Sequence, residues 1–110
     1  MTGDTPDRPR SLADRDDLDE LVEAHDRVLV EFYTDGCGVC ASMEPVLSGV
    51  ARTTDVVVAT ANPRDDPVLV EEYDVRSVPK LLLFEDGDLV DARADGFVGV
   101  DELRSFVGAD

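Results

Sequence analysis

Cys37 and Cys40 are the only cysteines among 110 residues, and they stand as Cys37-Gly38-Val39-Cys40 close behind the apolar run Val28-Leu29-Val30-Glu31-Phe32-Tyr33. A thiol reacts as its thiolate. The start of a helix, with unpaired N–H groups and a partial positive charge, favours that ionisation. A second thiol one helical turn further in can close a short disulfide with the first. A strand followed by C-x-x-C opening a helix is the pattern of a thiol–disulfide exchange site. Zinc competes for such residues, but it normally takes four ligands. The one histidine, His25, has no paired ligand near it in sequence, so neither a metal nor a separate cofactor is expected.

The elements that must hold this pair follow from hydrophobic spacing. Pro9 to Leu12 suits a short edge strand. Asp14 is placed to cap a helix whose apolar face is Leu18, Leu21 and Val22. Arg27 to Thr34 predicts a buried strand, and Cys37 to about Arg52 a helix with Met43, Val46, Leu47 and Val50 on one side. Pro45 lies inside that helix and should kink it. Val56 to Ala61 predicts a second buried strand, and Asp66-Pro67 opens a short helix ending near Tyr73. Lys80–Glu85 and Leu89–Arg93 form a hairpin around Asp86-Gly87, a favoured tight-turn dipeptide. Gly99 opens a last helix with Val100, Leu103, Phe106 and Val107 as its buried stripe. The order β-α-β-α-β-α-β-β-α predicts an α/β fold: a central mixed sheet of four to five strands with helices on both faces.

Composition bounds the function. A net charge of −16, from 26 acidic and 10 basic residues, repels phosphate backbones and anionic membranes, which argues against nucleic-acid or membrane partners. No apolar stretch approaches the roughly 18 residues of a membrane span, and Met1 to Arg10 has no hydrophobic run of a secretory leader. The expected location is the cytoplasm, where paired thiols are usually catalytic or metal-binding. Dispersed carboxylates with one lysine, Lys80, against nine arginines suit a protein of a high-salt cytoplasm, where screening weakens self-repulsion.

Several landmarks together resemble the thioredoxin family over roughly residues 10 to 108. Glu31 stands six residues before Cys37, where the family usually has a buried aspartate, and Pro45 five after Cys40, matching the helix proline. Tyr73-Asp74-Val75-Arg76-Ser77-Val78-Pro79 is similar to the segment leading into the family's cis-proline, and Gly87 and Gly96 fall near its turn and groove glycines. The polar, two-proline start of the chain predicts a flexible tail over residues 1–9, and the resemblance implies a thioredoxin-fold domain over 10–110. It implies that Cys37 attacks a protein disulfide, that Cys40 resolves the mixed disulfide, and that Glu31 is the base for Cys40. The redox-active disulfide Cys37–Cys40 then serves in place of a cofactor. The alternative for Glu31 is a strand-end acid facing solvent, which the apolar run around it disfavours.

The resemblance also implies that Pro79 faces the cysteines in cis, against the roughly 5–6% frequency of cis X–Pro bonds. Gly36, Gly38, Val39, Val78, Gly96 and Phe97 would line the substrate surface, with Val78 offering its backbone to an extended peptide and Phe97 otherwise a core residue. The expected partners are protein disulfides and a thioredoxin reductase or other dithiol donor, with the chain itself a monomer. A thioredoxin-fold binding module with non-catalytic or regulatory cysteines is the competing reading.

Departures from the family pattern are specific. Gly36 and Tyr33 stand where tryptophans are usual, and Gly38-Val39 replaces Gly-Pro. The altered dipeptide implies a less reducing couple. Thr60 occupies the place of a lysine that often pairs with the buried acid. Lys80, just after Pro79 on the other flank of Glu31, either points into solvent at a strand start or supplies the missing positive charge.

Overall fold

The computed structural model describes residues 8–109. Residues 1–7, most of the expected tail, and Asp110 lie outside the described residues. Strands β1 (Arg10–Leu12), β2 (Arg27–Phe32), β3 (Val57–Ala61), β4 (Lys80–Glu85) and β5 (Asp88–Arg93) form one sheet in the order β1-β3-β2-β4-β5. β3 runs parallel to β1 and β2, whereas β4 is antiparallel to β2 and β5. Helices α1 (Arg15–Ala24), α2 (Gly38–Thr53), α3 (Pro67–Tyr73) and α4 (Val100–Phe106) complete the fold. A short 3₁₀ turn at Pro63–Asp65 precedes α3. The element order agrees with the periodicity, and the sheet is mixed as expected.

Strand alternation sorts the core into two layers. Val28, Val30 and Phe32 of β2 pack with Val57 and Ala59 of β3 and Leu82 of β4 against Leu18, Leu21 and Val22 of α1 and Leu69 of α3. On the other face, Leu29, Val58, Leu81 and Leu83 meet Met43, Val46, Leu47 and Val50 of α2 and Leu103 of α4. β2 is therefore covered on both sides, which accounts for its unbroken apolar character. Phe32 is wholly buried, and truncation of such a side chain to alanine typically costs about 3–5 kcal/mol.

Element ends differ from the expected bounds by one or two residues. β2 stops at Phe32 rather than Thr34, although the Tyr33 N–H still donates to Ala61 O at 3.1 Å. α2 starts at Gly38 because Cys37 is its N-cap, not its first residue. It continues through Pro45 to Thr53; the proline removes the N–H that Ala41 O would have accepted. The Asp86-Gly87 hairpin has φ of 52° and 89° at these residues, the positive values a two-residue hairpin turn requires.

Candidate active site

Topology gathers the site at one end of the sheet. β2 and β4 are antiparallel with Phe32 opposite Lys80, so the loop leaving β2 toward Cys37 emerges beside Pro79, which enters β4. β4 and β5 pair with Leu81 opposite Arg93, which brings the loop after β5, with Gly96 and Phe97, to the same end. The Val98 N–H donates to Met43 Sδ at 3.4 Å and ties that loop to α2.

Cys37 and Cys40 form a disulfide with their Cα atoms 5.2 Å apart. Cys37 Sγ also accepts a hydrogen bond from the Cys40 N–H at 3.1 Å, the capping bond of α2. Its sulfur thus meets the unpaired donors of a 16-residue helix, the environment that stabilises a thiolate. Gly36, with φ of 81°, turns the chain sharply just before it. Exposure separates the two sulfurs' residues: Cys37 is half-buried, whereas Cys40 retains 4% of its surface.

A cleft of about 490 Å³ opens beside the pair, and Glu31, Gly36, Cys37, Cys40, Glu44 and Thr60 are among its lining. Glu31 retains only 2% of its surface, so the solvent-facing alternative does not hold. Its Oε2 is buried without a hydrogen-bond partner. Burial, followed by the negative charge of Glu44, raises its pKa to about 7. Thr60 lies beside Glu31 in the β2–β3 register and contributes no charge. Loss of the usual lysine leaves the acid without a cation.

Lys80 does not supply one. Opposite Glu31 on β4 is Leu81, while Lys80 is opposite Phe32, and alternation sends adjacent side chains to opposite faces. Lys80 Nζ donates instead to Tyr73 O at 2.8 Å and Asp74 O at 3.1 Å. It is neither a free solvent lysine nor the partner of Glu31; it closes the C-terminus of α3, whose cap residue Asp74 has φ of 52°.

The remaining predicted residues do not line the cleft. The Val78–Pro79 bond is cis, as the resemblance implies, and Pro79 is buried. Val78 packs its side chain against the α1–α3 layer. Gly38 is exposed at the start of α2, Val39 is 42% exposed and Phe97 56% exposed; Phe97 is not a core residue. Gly96 has φ of 88°. His25 ends α1, at the opposite end of β2. Among the described residues no three His, Cys, Asp or Glu side chains converge on a common metal position. Glu44 is among the cleft residues that the sequence does not single out; its one local signal is a spacing of four from Cys40.

A disulfide at a helix start, with a buried acid below it, defines a protein of the thiol–disulfide exchange class. The thioredoxin family model matches residues 11–109, and the chain belongs to that family. It is 28% identical over 99 residues to thioredoxin of Mycoplasmoides gallisepticum, covering 89% of this chain and 98% of that protein. Identity to thioredoxin of Chlamydia caviae is 39% over 77 residues, 69% of this chain and 74% of that one. The structure of a mutant thioredoxin from Halobacterium salinarum NRC-1 matches with a TM-score of 0.90 and 35% identity, over 96% of this chain and 92% of the other. The protein is a thiol–disulfide oxidoreductase with protein-disulfide reductase activity. Among the described residues no helix is long and apolar enough to cross a membrane.

Proposed function

We propose that Cys37 is the attacking thiol, Cys40 the resolving thiol and Glu31 the base that serves Cys40, within one catalytic domain over residues 10–110. The observation that carries this assignment is the contrast between a half-buried Cys37 capping α2 and a buried Cys40 on the Glu31 cleft. Cys37 thiolate attacks one sulfur of a substrate disulfide, forming the Cys37–substrate bond and expelling the other sulfur as thiolate. Glu31 carboxylate takes the proton of Cys40, whose thiolate attacks Cys37 Sγ. The Cys37–Cys40 bond forms and the second substrate sulfur leaves. Two electrons pass to the substrate, and a dithiol donor such as a thioredoxin reductase restores the pair.

The substrate chain docks over Gly36, Gly38 and Val39 on one side and Val78, Gly96 and Phe97 on the other. Val39 and Phe97 supply exposed apolar contact at this end of the sheet, and Val78 offers backbone groups to an extended peptide. Pro79 holds that segment against the disulfide. Val39, in place of the family's proline, makes the couple less reducing, an effect read by equilibration with glutathione in molar salt. The acidic composition and the resemblance to a Halobacterium protein support a monomer working in a high-salt cytoplasm.

Trapping tests the thiol roles. Cys40→Ser accumulates protein substrates as mixed disulfides through Cys37, while Cys37→Ser traps none and has no turnover. Trapping by Cys37→Ser instead reverses the assignment. Partner binding by Cys37→Ser at undiminished affinity, together with wild-type reductase inactivity, identifies a binding module.

A further inference from the structure

Among the described residues the cleft beside the disulfide has three carboxylates and no cationic side chain. Its titratable lining is Glu31, Tyr33, Asp35, Glu44 and the two cysteines, with no lysine, arginine or histidine. Of these, Glu44 alone exerts a charge effect on Glu31. The strand neighbours of Glu31 are Thr60 and Leu81, and neither titrates. Cys40, Glu44 and Ser48 are spaced by four along α2, which sets them on one helix face, and all three line the cleft. Beneath them Ser11, Thr60 and Glu31 lie in register across β1, β3 and β2. Glu44 is exposed, while Glu31 at 2% exposure holds a buried oxygen without a hydrogen-bond partner.

We propose that Glu44 is a positioning residue for the resolving step: its charge, acting across the cleft shared with Cys40, governs when Glu31 holds a proton and hence the pH at which Cys40 is released as thiolate. The inference rests on Glu31 being the base for Cys40. A negative group at the cleft mouth opposes a second negative charge below it, so Glu31 binds its proton more tightly. The interaction crosses a solvent-accessible space and is therefore weakened by salt.

The test uses the full chain and dithiobis-nitrobenzoate, an aryl disulfide that releases one coloured thiolate when Cys37 attacks and a second when Cys40 resolves. Carboxyl NMR of the oxidised protein follows Glu31 directly. Glu44→Gln is expected to lower the Glu31 midpoint by on the order of 0.5 pH unit, the size of a charge–charge effect across water at several ångströms. The acid limb of the second release moves the same way, the first release moves less, and Glu44→Asp restores the wild-type profile. The difference between wild type and Glu44→Gln shrinks in molar potassium chloride. An unmoved Glu31 midpoint and second release in Glu44→Gln, with Glu31→Gln altering the second release, overturn the role of Glu44 and leave the base intact. If Glu31→Gln leaves the second release at its wild-type pH profile, the base assignment fails and this inference with it.

Discussion

Glu31 carries a conflict between stability and chemistry. Its carboxyl is buried, one oxygen has no partner, and its pKa is raised from 4.5 to about 7. The folded protein therefore binds a proton that the unfolded chain has released between those values. Stability from this group is fully present below about pH 4.5 and is lost as pH rises through about 7. Glu31→Gln keeps the shape and removes the ionisation. The variant is expected to exceed the wild type at pH 8 by about 3 kcal/mol, each pKa unit being worth about 1.4 kcal/mol, with the advantage gone at pH 4. Urea unfolding at the two pH values measures it. Under the proposed role of Glu31 as base for Cys40, the same substitution also slows resolution. Equal stability differences at both pH values would show that Glu31 ionises as freely when folded as when unfolded.

At the scale of elements, two side chains tie α3 to other elements: Asp66 at its start and Lys80 at its end. Asp66 caps α3 by accepting from Val68 N at 3.1 Å, while its second oxygen accepts from Arg15 N, the first residue of α1, at 3.0 Å. A single cap is typically worth about 1 kcal/mol. Asp66→Ala removes the acceptor of both bonds and is expected to cost about 2 kcal/mol in denaturant unfolding. Asp66→Asn, which keeps one oxygen acceptor, falls between.

Lys80 closes the other end of α3 through its two carbonyl bonds. Hydrogen bonds to a charged group contribute about 1.5–3 kcal/mol, with partial exposure placing this one at the low end. Lys80→Met is expected to lower stability by about 1–2 kcal/mol and leave the pH profile of disulfide reduction unchanged, because the ammonium lies on the face of the sheet away from Glu31. A shifted profile in that variant would restore the coupling that the strand register excludes.

For the whole molecule, charge dominates the response to salt. Four arginines make the described ion pairs, and every pair has at least one partner more than a third exposed, so each contributes about 0–1 kcal/mol and is itself screened. Against them stand 16 uncompensated negative charges. Their repulsion contracts as the Debye length falls from about 10 Å at 0.1 M to about 3 Å at 1 M. The melting temperature is therefore expected to rise from dilute buffer to molar potassium chloride. A flat or falling Tm would mean that the lost ion pairs outweigh the relieved repulsion, and would remove the support for a high-salt protein.

The sequence by itself determined what is encoded over a few residues. The cysteine spacing, the apolar strands, the Asp66 cap and the Asp86-Gly87 turn each depend on neighbours within a helical turn or a hairpin, and each stands where its local pattern put it. Tertiary structure decided which side chains share a face across the sheet. A strand shifted by one residue reverses every side chain, so adjacency in the chain could not tell whether Lys80 or Leu81 meets Glu31. The observed register puts Leu81 there, sends Lys80 to α3, and brings Glu44, from a different element, to the cleft above the acid. The thiols were legible because their chemistry is local. The rise in the proton affinity of Glu31 through burial follows from its place in an apolar strand, but the added effect of Glu44 does not, because only tertiary packing brings that charge near.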